Sequence, residues 1–257
     1  MKLFNIVCII AYDGSKFCGF SCNRGGVVQG LCSVADFFES VLKKIGINTH
    51  IIGSGRTDKG VHATHQVINF HTKLYMPLLK MQKLLNDRLY PFVLLRKIFI
   101  ADSNFHSRFS AKMRFYRYIF TQNEILPFYT AYIAKVQHGN IESIQTALNE
   151  FIGTHDFSLF KKNGSETKNY IRTITKAHIF PAKIHNIDCL VIHIGANGFL
   201  RSQVRIMLKA CFEFSLGKIT LQDIKRQIQN DASLTQKECV RTLAPACGLY
   251  LNRVLYS

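Results

Sequence analysis

Apolar residues crowd positions 3–11, rich in Ile and Val, and the turn signal Asp13-Gly14-Ser15 follows, so this run predicts a strand. The period then changes: Leu31, Val34, Ala35, Phe38, Val41, Leu42 and Ile45 recur at three- and four-residue spacing, predicting a helix over 29–45 that Gly46 closes. Residues 50–52 and 66–70 read as strands on either side of a glycine-rich loop. Pro77 opens a helix that runs to about Leu89, and 93–100 is a further strand. A second patterned stretch begins with F-Y-R-Y-I-F at 115–120, alternating as a half-buried strand does. A helix over 141–152 stops at Gly153; strands at 171–180 and 187–195, helices at 201–216 and 221–230, and a strand at 249–255 complete the pattern. Strands and helices mix in similar order in both stretches. The expected fold is therefore α+β: two related mixed domains, 1–104 and 105–257, each an antiparallel sheet flanked by helices.

No window approaches the roughly 20 uninterrupted apolar residues of a membrane span. The first apolar run is short, and Tyr12-Asp13-Gly14 stands where a signal peptide would need a small-residue cleavage site. A cytoplasmic protein is expected. The formal net charge is +17. It is shared between residues 1–104, with 13 basic against 6 acidic residues, and the remainder, with 20 against 10, so it is no charged tail. Such an excess points to a polyanionic partner, which attracts basic surface from a distance and releases counterions on binding. The eight cysteines are scattered, and neither Cys18-x-x-x-Cys22 nor His62-x-x-His65 has a second ligand pair at metal spacing. Free reduced thiols and no metal are expected.

The stretch carrying chemistry is I-I-G-S-G-R-T-D-K-G-V-H-A at 51–63. It sets one carboxylate, Asp58, between Arg56 and Lys59 in a loop containing Gly53, Gly55 and Gly60. A strand, a glycine-rich turn and another strand can present the apical side chain to a ligand, and an ionised carboxylate there can serve as nucleophile, base or cation ligand. Standing alone, R-T-D-x-G is also compatible with a hairpin bearing a surface ion pair.

Four further segments extend the pattern: Y-D-G-S-K-F-C-G-F at 12–20, F-H-S-R-F-S-A at 105–111 with F-Y-R-Y-I just after, G-F-L-R-S-Q-V-R at 198–205, and A-P-A-C-G-L-Y-L at 244–251. Together with G-R-T-D-K-G-V-H-A, and in this order, they resemble the tRNA pseudouridine synthases of the TruA family. The resemblance implies an active-site cleft between the two domains and isomerisation of uridine to pseudouridine in the anticodon arm of tRNA, at positions 38, 39 and 40. No group is gained or lost in that reaction, so no cofactor or metal is expected. Asp58 falls on the family's essential aspartate, whether it attacks the sugar carbon or removes a sugar proton. Arg205 matches the basic residue paired with that aspartate, and Tyr116 the phenol stacked on the target base. A buried uridine must be turned out of its stack, and Arg56 is placed to fill the gap. Phe105, His106, Arg108 and Phe109, with the loop residues Lys161, Lys162 and Lys168, are candidates for gripping the tRNA backbone. The resemblance also implies a homodimer. Phe20-Ser21 stands where the family usually has Trp-Gln, and Gln203 replaces a common Met, departures that bear on packing and RNA grip. Two other readings fit parts of the pattern. A non-catalytic RNA chaperone would bind tRNA without modifying it, and an aspartyl enzyme acting on phosphate esters would need magnesium and further carboxylates.

Overall fold

The computed structural model describes residues 2–21, 31–162, 164, 169–231, 233–234 and 239–256. Two compact units emerge: Met1–Lys112 with Tyr250–Ser257, and Met113–Leu249.

In the first unit, β1 (Phe4–Tyr12) is the central strand, and Ile6, Val7, Cys8 and Ile10 are wholly buried. Helix α1 (Val34–Lys44) begins later than its periodicity predicts, because Ser33 caps it. Ser33 Oγ accepts from the Asp36 N–H at 3.0 Å while the Asp36 carboxylate accepts from Ser33, a reciprocal capping box that fixes the first turn. Its buried stripe, Val34, Ala35, Phe38, Val41 and Leu42, is the predicted one. Residues 29 and 30 of the expected helix lie outside the described residues. The short β2 (Ile52–Gly53) pairs with β3 (His62–Thr72), which is antiparallel to β1. Helix α2 (Leu78–Leu89) packs Met81, Leu85 and Leu89 inward, and β4 (Val93–Ala101) lies on the other side of β1.

The second unit opens with β5 (Met113–Thr121), paired in parallel with the two-residue β6 (Ala134–Lys135). Helix α3 (Ile141–Glu150), capped by Asn140, precedes β7 (Gly153–Asp156), whose sequence G-T-H-D has no apolar alternation to announce it. Strand β8 (Ile171–Ile184) runs past Pro181, where β7 has already ended and no ladder donor is needed on that side. A two-residue turn, His185 and Asn186 with φ of 48° and 63°, returns the chain into β9 (Ile187–Ala196). Both residues take the left-handed conformation of a type I′ hairpin. Helices α4 (Gln203–Ser215) and α5 (Leu221–Ile228) follow. Tyr118, Phe120 and Phe212 form one aromatic cluster of this core, and Phe151, Phe157 and Phe160 another. The last strand, β10 (Leu249–Leu255), pairs in parallel with β3 of the first unit through Tyr250 opposite His62 and Leu251 opposite Ala63. Among the described residues six pairings are antiparallel, three of them with a shift in register, whereas β10 with β3 and β5 with β6 are short parallel pairs, so the strands are mixed and not wholly antiparallel as expected.

Cys18 is disulfide-bonded, in contrast to the free thiols expected. Cys8, Cys32, Cys189, Cys211, Cys239 and Cys247 are free. Burial pushes the Cys8 and Cys211 thiols well above their ordinary range, which leaves both inert in the core.

His178 of β8 stands opposite His193 of β9, their rings 5.3 Å apart, and His178 Nδ1 and His193 Nε2 are buried without a hydrogen-bond partner. Burial first, then the nearby His178, Lys176 and Arg117, lowers His193 to about 4. Burial and Lys176 also lower His178. The unfolded chain thus takes up protons near pH 6.5 that the native pair refuses, so stability falls as pH drops from about 6.5 towards 4. After allowance for solvent screening, His193 accounts for about 1–2 kcal/mol of that loss. Thermal melts of His193→Gln against the parent protein across this range are expected to show a shallower acid slope in the variant.

Candidate active site

Asp58 sits at the first position of a tight turn: the Val61 N–H donates to the Asp58 carbonyl at 3.1 Å, and Gly60, third in the turn, has φ of 79°. That third position of a type II turn demands a positive φ, which is why glycine stands there. The loop is held from several sides. Ser54 N–H donates to Val67 O at 2.8 Å, Ser54 Oγ bonds Gln66 Oε1 at 2.5 Å, and Gln66 Nε2 donates to Gly55 O at 2.8 Å. Gln66 is completely buried, so its amide is spent on this loop.

Thr57, next to Asp58, is fixed by the opening motif. The Tyr12 hydroxyl lies 2.9 Å from Thr57 Oγ1, and the Phe20 N–H donates to the Thr57 carbonyl at 3.1 Å. On the other side of the turn, the Gly14 N–H donates to His62 Nδ1 at 3.0 Å, and His62 stacks on Tyr250 with ring centroids 4.7 Å apart. Asp58 is half-buried, whereas Arg56 and Lys59 are exposed. Tyr12, Gly14, Thr57, His62 and Gln66 were not singled out from the sequence as site residues. The signal for them was the adjacency of Y-D-G-S and R-T-D within one pattern, which carries no distance.

The F-H-S-R-F segment is anchored by a buried polar network. Asn5 Nδ2 donates to the carbonyls of Asp102 and Phe105 at 2.9 and 2.8 Å, and Asn69 Nδ2 donates to Asn5 Oδ1 at 3.0 Å. Asn69 Oδ1 accepts from the Ser107 N–H at 2.9 Å, and Ser107 Oγ donates to Ile52 O at 2.6 Å. Asn5, Asn69 and Ser107 are at most 3% exposed, so each polar group is matched rather than solvated. Phe105 is half-buried against Tyr256 at 4.9 Å. His106 Nδ1 accepts from the N–H groups of Arg108 and Phe109, shaping the turn. Arg108 and Phe109 themselves are exposed, the Arg108 guanidinium lying 5.5 Å from the Phe109 ring centre. Of the four residues, these two present their side chains to solvent.

Tyr116 and Arg205 belong to the second unit, and Asp58 and Arg56 to the first. Tyr116 is 8% exposed and meets Phe199 edge-on at 5.3 Å. Arg205, in the first turn of α4, is half-buried; its Nε donates to Ala244 O at 2.8 Å and its carbonyl accepts from the Ala244 N–H at 3.1 Å. The helix surface around it is buried, with Val204, Ile206, Met207 and Leu208 at most 4% exposed. Gln203, wholly buried, accepts from the Leu200 N–H at 2.8 Å through Oε1 and approaches Met207 Sδ at 3.6 Å through Nε2. The backbone bond explains how an amide is tolerated at this apolar position. Lys161 lies over Tyr170 at 4.8 Å, and the Lys162 N–H donates to Arg201 O at 3.0 Å. Lys168 lies outside the described residues. Among the described residues, no group of three His, Cys, Asp or Glu could hold a metal ion.

With this geometry in view, the family model described as tRNA pseudouridine synthase matches residues 8–110 and 147–257. The chain belongs to the tRNA pseudouridine synthase family. Asp58 and Arg205 fall inside the matched segments of that synthase family, and Tyr116 falls between them. Curated relatives span nearly the whole chain. The tRNA pseudouridine synthase A of Helicobacter acinonychis (strain Sheeba) is 42% identical over 247 residues, covering 96% of this chain and 97% of that protein. The protein of the same name from Helicobacter pylori (strain ATCC 700392 / 26695) gives the same identity and coverage. That of Helicobacter hepaticus (strain ATCC 51449 / 3B1) is 37% identical over 253 residues, with 96% and 97% covered. A solved structure titled an unknown protein from Galdieria sulphuraria aligns with 76% of this chain and 82% of that one at 10% identity and a TM-score of 0.24, too low to bear on the fold.

Proposed function

We propose that the protein isomerises uridine to pseudouridine at positions 38, 39 and 40 of the tRNA anticodon arm, with Asp58 as the catalytic carboxylate. The observation that carries this reading is the presentation of Asp58 at the head of a glycine-permitted turn, locked by the opening motif, in a chain of the tRNA pseudouridine synthase family.

The reaction breaks the bond between the sugar C1′ and N1 of the base, turns the base, and joins C1′ to C5; the C5 proton is then lost and N1 takes up a proton, so that the product is an isomer of uridine. An unprotonated Asp58 serves either route to bond cleavage, by attack at C1′ or by removal of the C2′ proton. Tyr116 holds the base and receives the C5 proton in this reading, and Arg205 is the positioning cation. Arg56 occupies the space left by the everted nucleotide, whose eversion costs a few kcal/mol. Phe105, His106, Arg108, Phe109 and Lys168 form the grip on the backbone. Within that group the exposed Arg108 and Phe109 suit direct contact, whereas Phe105 and His106 suit the shaping of their segment. The net charge of +17 favours the tRNA polyanion at long range.

Tritium release from tRNA labelled at uridine C5 tests the activity directly. Release from positions 38–40, with pseudouridine mapped there, is the expected result; bound tRNA with no release would leave an RNA-binding protein without this chemistry. The protein is further proposed to work in the cytoplasm as a homodimer on one tRNA. No helix of the described residues is long and apolar enough to cross a membrane. Light scattering at working concentration is expected to give twice the chain mass, and a monomer mass would refute the dimer.

A further inference from the structure

Tyr118 is a poor choice for a purely structural core residue. It lies on β5 two positions beyond Tyr116, so both side chains leave the same face of the strand. It is 1% exposed, with its ring 5.7 Å from Phe120 and 6.0 Å from Phe212. The hydroxyl is buried and finds no hydrogen-bond partner among the described residues. A buried hydroxyl left unsatisfied is destabilising, and phenylalanine would fill the same space without it.

The surroundings of that hydroxyl indicate its use. A Cβ built on Gly248 would lie 3.1 Å from Tyr118 Cε2, the ring carbon next to the one bearing oxygen, so the phenol tip rests against the turn Ala246–Gly248. The same segment, four residues upstream of Gly248, holds Arg205 in both directions: Nε on the Ala244 carbonyl and the Ala244 N–H on the Arg205 carbonyl. Arg205 and the phenol thus meet one short stretch of backbone, 244–248. Burial raises the Tyr118 pKa, Cys247 adds to the rise, and the Arg205 charge opposes it.

We infer that Tyr118 is a positioning residue for Arg205, its phenolic oxygen accepting a hydrogen bond from the guanidinium when tRNA is bound and so fixing the direction of that cation. This rests on the uridine-isomerase reading, in which Arg205 acts on the site. The retained hydroxyl then lowers stability in the free protein and stabilises one rotamer in the working complex, the trade found where buried polar groups serve function.

Tyr118→Phe tests it in the tritium-release assay, with thermal melting alongside. The expected result is a kcat about tenfold lower, a KM for tRNA within about twofold of the parent protein, and a melting temperature unchanged or higher. In an Arg205→Lys background, Tyr118→Phe is expected to add little further loss, because the two residues act as one unit. Unchanged kcat in Tyr118→Phe would overturn the inference, as would a loss that multiplies fully with Arg205→Lys or that comes with a lowered melting temperature. The parent protein in the same assay decides the isomerase reading, and the ratio of variant to parent decides the role of Tyr118.

Discussion

Asp58→Asn is expected to reduce pseudouridine formation by at least about 10³-fold while tRNA binding stays within a few-fold of the parent protein. The substitution targets the carboxylate while keeping the backbone group that closes the turn. The Asp58 group closing the turn is its backbone carbonyl, which accepts from the Val61 N–H at 3.1 Å. Thr57 is held by the Tyr12 hydroxyl and the Phe20 N–H, and Gly60 keeps its φ of 79° whatever stands two residues before it. Asparagine has nearly the same volume and fits the same half-buried place, but it can neither attack a sugar carbon nor remove a sugar proton. Tritium release measures the chemistry, filter binding the affinity, and a thermal melt the fold. A variant that keeps release within tenfold of the parent protein would remove Asp58 from the mechanism.

The second large effect is structural and comes from Gly14→Ala. A Cβ there would lie 2.1 Å from Val61 O and 2.4 Å from Val61 C, a collision with backbone and not with a side chain able to turn away. Val61 cannot retreat easily. Its N–H closes the Asp58 turn, and His62 behind it begins β3, accepts from Gly14 and stacks on Tyr250. Relief has to come from shifting β3 or the catalytic turn. A cost of about 3 kcal/mol is expected, lowering Tm by about 6–12 °C in a chain of this size. Activity should fall further than stability explains, because the strain is delivered three residues from Asp58. Gly46→Ala is the control: Gly46 also has a positive φ, of 85°, but a Cβ there meets nothing within 4 Å. It should cost only about 1 kcal/mol of backbone strain and leave kcat alone. Equal losses in the two variants would show that the Gly14 contact does not govern the site.

What the sequence by itself determined is local. The buried stripe of α1, the strand β10 and the helix α2 lie where hydrophobic period and turn residues put them, since those signals involve residues within about four positions of each other. The capping box at Ser33 and Asp36 was equally local, although the apolar period alone started the helix too early. The motif order identified the family, and R-T-D-x-G drew out Asp58, which the fold sets at the first position of the turn and not at the expected apex. Only the tertiary structure decided what holds the loop that carries it, where Tyr12 reaches Thr57 across 45 residues and Gly14 reaches His62 across 48, and what anchors the F-H-S-R-F segment, where Asn5 fixes Phe105 across 100. The return of the final strand to the first unit, and the grip of Ala244 on Arg205, are of the same kind. A hydrogen bond between distant positions leaves no period in the chain; it exists once packing has brought its donor and acceptor together, and until then glycine, threonine and asparagine at those positions look like ordinary turn and surface residues.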